Sequence, residues 1–257
     1  MEKVFDIKDY DIGKRPLWAV LSAVIIFAAL VFFVFSCVAM GEGSRILPIY
    51  SVETEEKKAA VTFNCAWSAE DIPQILEILD KYEAKATFFI LGQWANDNPS
   101  AVKMIAEAGH EIGTHSQTHP DMAKLSEDEI RQELMRSCES IEKAGGGEVF
   151  LFRAPSGSYS ETLIKTAMEM GFYTIQWDVD SRDWKDYTAE KMVDSVTKNV
   201  MPGSIILFHC GKENTLAALP QIMEILHNGG YGFSTVSELI YKEDYTIDHT
   251  GRQHSIK

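Results

Sequence analysis

Seven short runs rich in β-branched and aromatic residues, at 59–64, 86–91, 111–115, 149–153, 173–179, 205–209 and 231–236, recur along this chain with helical patterns between them. That alternation demands a parallel sheet covered by helices, because parallel neighbours need a connection long enough to hold a helix. The intervening segments carry helix signals of their own. Ile72, Ile75, Leu76 and Leu79 fall at i, i+3, i+4 and i+7, and Ser126 stands three residues before Glu129 as a capping box ahead of Ile130 and Leu134. Gly109, Gly145, Gly171 and Gly229 supply the stops.

Whether the sheet is open or closed follows from where the unusual polar residues fall. Asn64 and Cys65 end the first run, His115 the third, Arg153 the fourth, Asp178 and Asp180 the fifth, and His209 the sixth. An open sheet would spread five strand ends over roughly 20 Å at about 4.8 Å per strand. A barrel gathers them at one mouth, so the expected fold class is α/β with a closed (β/α) barrel.

Lys14 and Arg15 precede an apolar run at 17–40, whose 24 residues at about 1.5 Å each exceed a hydrocarbon core of about 30 Å. A cleaved signal peptide has a shorter core, and bulky Phe35 fits poorly before a lipoprotein-type cleavage at Cys37. The expectation is a cytoplasmic N-terminus at 1–15, one transmembrane anchor at 16–40, and the remainder extracytoplasmic by the positive-inside bias. Gly, Ser, Pro48 and clustered charge read as a linker at 41–58, followed by one domain at 59–242 and a poorly ordered tail at 243–257. The net charge of −14 would repel a phosphate backbone, so no nucleic-acid partner is expected. Four cysteines without CxxC spacing exclude a disulfide scaffold or zinc ribbon.

The strand ends also carry the candidate chemistry. His115 and His119, four apart in a loop, form a candidate pair of imidazole ligands. Arg153 leaves a strand into a turn shaped by Pro155 and Gly157, and a buried guanidinium there needs a carboxylate or substrate oxygen. Between Trp177 and Trp184 lie Asp178, Asp180 and Asp183, where carboxylates can orient a histidine and indoles can stack on sugars. His209 could protonate a leaving amine.

In order, Ala86-Thr87-Phe88-Phe89, His115-Ser116-x-x-His119, Arg153-x-Pro155-x-Gly157, Asp180-x-x-Asp183-Trp184 and Leu207-x-His209 resemble the motifs of the polysaccharide deacetylases, the NodB homology or carbohydrate esterase 4 domain. The resemblance covers about 59–241 and is closest to a clostridial or sporulation-type branch with an altered first motif. It implies a distorted (β/α)7 barrel that removes N-acetyl groups from cell-wall or related glycans by metal-assisted hydrolysis, with a divalent ion, usually zinc, as cofactor. It implies a catalytic set of His209, Asp183, Arg153 and the altered base position Asn64, and substrate contacts from Trp184, Pro155, Gly157 and Leu207. His115 and His119 would hold the metal, with Cys65 either a third ligand or a packed residue. The family's Thr-Phe-Asp-Asp-Gly reads Thr62-Phe63-Asn64-Cys65-Ala66 here, so both acids are missing. An amide cannot accept the proton of an attacking water. Two functions therefore stand side by side: a membrane-anchored N-deacetylase, and a glycan-binding or envelope-assembly protein that has lost hydrolysis.

Overall fold

The computed structural model describes residues 46–185 and 187–257, which belong to one compact unit. The expected anchor lies outside the described residues, among which no helix is long and apolar enough to cross a membrane. The strands are β1 (Ser51–Val52), β2 (Lys58–Cys65), β3 (Thr87–Ile90), β4 (Glu111–Thr114), β5 (Leu151–Phe152), β6 (Tyr173–Thr174), β7 (Val179–Asp180), β8 (Ile205–His209), β9 (Gly232–Phe233), β10 (Tyr245–Ile247) and β11 (Arg252–Ser255). The helices are α1 (Ile72–Lys81), α2 (Gly92–Asp97), α3 (Pro99–Glu107), α4 (Glu127–Lys143), α5 (Glu161–Glu169), α6 (Ala189–Thr197), α7 (Glu213–Asn228) and α8 (Val236–Leu239).

The main sheet is parallel and runs β6-β5-β4-β3-β2-β8-β7, with β9 paired to the start of β2. It curls into a distorted half-barrel. Period-two alternation sorts each strand between two cores. Val61, Phe63 and Cys65 of β2 pack outward with Phe88, Ile206 and Phe208 beneath the helices. Ala60, Phe89, Leu151 and Ile205 fill the interior. Gly113 in β4 is required by that filling, since a Cβ there would meet the Phe89 ring at 2.7 Å. The capping box opens α4 as expected: Ser126 accepts from the Glu129 amide, and the Glu129 carboxylate accepts from the Ser126 amide at 2.8 Å.

Three expectations need correction. The run at 173–179 is two strands, β6 and β7, which sit at opposite ends of the sheet path and do not pair, so hydrogen bonding does not close the barrel. Residues read as a linker enter the gap instead. Ile49 bridges to Ile175, and the Val52 amide donates to the Gly203 carbonyl at 2.9 Å. The stretch read as a loose tail forms the β10–β11 hairpin, and β11 pairs in parallel with β1. Ile49, Val52 and Gln253 are all buried, so from Ile49 onward this linker and tail form a plug under the barrel.

Candidate functional site

β2 and β8 pair in a register that sets Asn64 opposite His209 on the interior face. Behind Asn64 lies Arg153, whose side chain is 0% exposed. Its Nη1 donates to Thr62 Oγ1 at 2.9 Å and to Asn64 Oδ1 at 3.1 Å, and its Nη2 donates to the Gln176 carbonyl at 3.0 Å. The guanidinium also lies over the Phe89 ring at 4.0 Å. Every acceptor it meets among the described residues is neutral, and burial holds its pKa well below the usual arginine value.

His115 follows β4 directly. Its Nδ1 is 2.8 Å from the Arg153 carbonyl, and its burial, with His119 beside it, pushes its pKa down to about 3. The two imidazole rings meet edge to face at 5.1 Å. A carboxylate on α4 shapes this loop. Glu133 accepts from the Gln117 and Thr118 amides at 2.9 Å each, and the His119 amide donates to Ser116 Oγ at 3.0 Å. Ser116 and His119 adopt positive φ, 73° and 61°, an uncommon state for non-glycine residues that these bonds hold in place.

His209 is oriented from the other side. Asp183 Oδ1 is 2.6 Å from His209 Nδ1, while Asp183 Oδ2 accepts from the His209 amide at 2.6 Å and from Thr215 Oγ1 at 2.8 Å. That leaves His209 Nε2 for the cavity, with the Trp67 ring edge-on to the imidazole at 5.1 Å. The next turn is tied down by Asp71, which accepts from the Gly211 amide at 2.6 Å and whose pKa burial raises.

These groups surround a cavity of about 320 Å³. Of the expected site residues, Asn64, His115, His119, Leu207, His209 and Trp184 line it. Arg153 and Asp183, expected as catalytic residues, do not line the cavity; they stand one layer back, hydrogen-bonded to Asn64 and His209. Pro155 and Gly157, expected to contact substrate, do not line the cavity; the residue between them, Ser156, does. Gly157 serves the turn instead, since its φ is +66° and a Cβ would meet the Trp177 ring at 2.9 Å. Asp178 is far from the chemistry: it accepts from Ser204 Oγ and the Ile205 amide, both at 2.8 Å, at the start of β8. The sequence reading missed Trp67, Ser156 and Lys212 as lining residues, and Glu133 as the clamp on the histidine loop. Trp67 and Lys212 each follow a strand-end polar residue by three positions, which is the signal that could have found them.

Cys65 is corrected most sharply. It faces the helix layer, as the residue after an interior Asn64 must, and it forms a disulfide with Cys210 across a Cα–Cα distance of 5.0 Å. It cannot be a thiolate ligand there. Two imidazoles fall short of the three protein ligands of a catalytic zinc centre. Among the described residues no group of three His, Cys, Asp or Glu side chains could hold a metal ion. The residues present do not fit the expected zinc centre.

A family model described as polysaccharide deacetylase matches residues 51–175. A peptidoglycan-N-acetylglucosamine deacetylase of Bacillus cereus is 37% identical over 196 residues, 74% of this chain and 92% of the relative. The uncharacterized protein YlxY of Bacillus subtilis is 36% identical over 193 residues, 75% of this chain and 60% of its own length. Among solved structures, wild-type BA3943 of Bacillus anthracis, described as a CE4 family pseudoenzyme, matches with a TM-score of 0.73 and 37% identity, covering 81% of this chain and 73% of that one. A mutant of it described as having restored enzymatic activity matches at 0.72 with 39% identity, covering 75% and 71%. Identity at that level over that share of the chain, on strands that bring the motif residues to one mouth, makes this chain a member of the polysaccharide deacetylase family.

Proposed function

We propose that this chain is a membrane-anchored, extracytoplasmic protein whose cavity receives an N-acetylated sugar of peptidoglycan or a related wall glycan, and whose hydrolytic step is slowed by the loss of its base. One contrast carries the reading: Asn64 stands in the grip of Arg153 where a base would act, while Asp183 still aims His209 at the same cavity. Hydrolysis of an amide needs a water deprotonated as it attacks and an amine protonated as it leaves. His209 can give the second proton. Asn64 cannot take the first.

Half-exposed Trp67 and Trp184 offer the flat apolar faces that sugar rings stack on, which supports a glycan ligand. Relatives named as peptidoglycan N-acetylglucosamine and N-acetylmuramic acid deacetylases support the wall polymer as its source. The Cys65–Cys210 disulfide supports an oxidising compartment outside the cytoplasm. The test is acetate release from N-acetylated wall fragments and chitin oligomers. Wild type is expected to bind them with release near background, and Asn64→Asp to raise release toward the ~10²- to 10⁴-fold that a positioned base contributes.

A second reading, a working N-deacetylase, is favoured by Asp180, a carboxylate on the cavity wall. Brisk acetate release by wild type that Asp180→Asn abolishes would establish it.

A further inference from the structure

We infer that the cavity recognises the intact acetamido group without a metal, through a fixed hydrogen-bond donor on Asn64 and a fixed acceptor on His115, and that it rejects the deacetylated amine. This rests on the reading that a sugar enters the cavity. It assigns position 64 a binding role in place of the catalytic one its relatives' pattern implies.

The polarity of both groups is set by partners that can play only one part. A guanidinium has no acceptor, so the bond from Arg153 Nη1 at 3.1 Å must end on the amide oxygen of Asn64. The Nδ2 group is thereby turned from Arg153, and it meets no acceptor among the described residues although Asn64 lines the cavity. A backbone carbonyl cannot donate, so the 2.8 Å contact between His115 Nδ1 and the Arg153 carbonyl puts the proton on Nδ1 and the lone pair on Nε2. One residue therefore organises both groups: Arg153 orients Asn64 with its side chain and His115 with its main chain. Asn64 is the last residue but one of β2 and His115 follows β4, two strands over, about 10 Å between backbones. The cavity that both residues line, about 320 Å³, has room for an acetamido group. A secondary amide presents a carbonyl and an N–H on opposite edges, which complements a donor on one wall and an acceptor on the other.

The free amine lacks this match. As an ammonium it can donate to His115 and is attracted by the Asp180 carboxylate on the cavity wall, but it offers no acceptor to Asn64 and brings a second positive charge near Arg153, which has no carboxylate partner among the described residues. A hydrogen-bonding site discriminates strongly against a ligand that leaves its polar groups unpaired.

The experiment is calorimetric titration of the full chain, with chelator present, using chitotetraose and its fully deacetylated counterpart. Wild type is expected to bind the acetylated tetramer at least tenfold more tightly. Asn64→Asp, which keeps the shape and the Arg153 contact but removes the donor, should erase that preference, and Asn64→Ala should weaken the acetylated tetramer alone. Trp184→Ala should weaken both tetramers alike. Equal binding of the two tetramers by wild type, or an unchanged preference in both Asn64 variants, overturns the proposal. Binding of chitotetraose that appears only with added zinc overturns it while leaving the glycan reading intact; failure to bind any wall glycan under either condition removes both.

Discussion

Asp183 makes its three hydrogen bonds while nearly all of its surface is covered: the His209 amide fixes the backbone, the bond to Nδ1 sets the ring plane and the tautomer, and Thr215 holds the carboxylate itself in place. An asparagine there can keep an oxygen only toward one side. With its oxygen left on the His209 amide and Thr215, its NH₂ faces Nδ1, which must then carry a lone pair and move the imidazole proton to Nε2. Asp183→Asn is therefore expected to invert the His209 tautomer, read from the imidazole nitrogen shifts. It should also cost about 1–3 kcal/mol in urea unfolding, because a charge-assisted acceptor is lost in a buried place. An unchanged tautomer would mean that the ring is held by its packing against Trp67 instead.

At the level of elements, the plug made by β1, β10 and β11 decides how much chain the domain needs. Gln253 is its keystone: fully buried, it accepts from the Tyr241 amide at 2.7 Å through Oε1 and donates to the Tyr241 carbonyl at 2.6 Å through Nε2. Gln253→Ala strips partners from two backbone groups that water reaches poorly. The expected cost is about 2 kcal/mol or more, measured by thermal and urea unfolding. A fragment confined to 59–242 loses β1 and β11 together and should melt well below one spanning 46–257. Equal melting would show that the half-barrel is self-sufficient without its plug.

Across the whole molecule, opposing titrations set the pH of greatest stability. Burial pushes His110 down to about 4 and His115 down to about 3. Both protonate near 6.5 when unfolded, so the stability they hold is full above that pH and is lost as pH falls through it toward 4. Burial pushes Asp178 the other way, up to about 6; its contribution is full below the unfolded carboxylate value near 3.9 and is lost as pH rises toward 6. Asp248 and Glu53 clasp His254 at 2.9 Å each and raise its pKa, a contribution kept below about 6.5 and lost as pH rises beyond. Two histidines outweigh one aspartate on the acid side, and His254 alone of these declines on the other. Stability in the presence of chelator should therefore peak near pH ~6.5 in urea midpoints measured from pH 4 to 9. Asp178→Asn, an isostere of the protonated acid, should steepen the acid limb, and His254→Gln should flatten the alkaline one.

The alternation of apolar runs and helices, the capping box at Ser126, and the gathering of His115, Arg153 and His209 at strand ends were legible because each is a local pattern read along one element. Period two turns Cys65 to the face opposite Asn64, yet the sequence alone leaves Cys65 a candidate ligand, since a strand end can bend. The sequence did not reveal that Cys210, 145 residues away, stands in register with Cys65, since strand pairing is a property of the assembled sheet. Nor could it show the plug, whose strands of two to four residues are too short to display a period. By itself the chain's sequence determined the family, the layer order and the residues at the mouth, because these follow from periodicity and from side chains at strand ends. Only the tertiary structure decided which way the Asn64 amide faces, what became of Cys65, and that Arg153 carries its charge with no carboxylate beside it among the described residues, because each depends on partners brought together from distant strands.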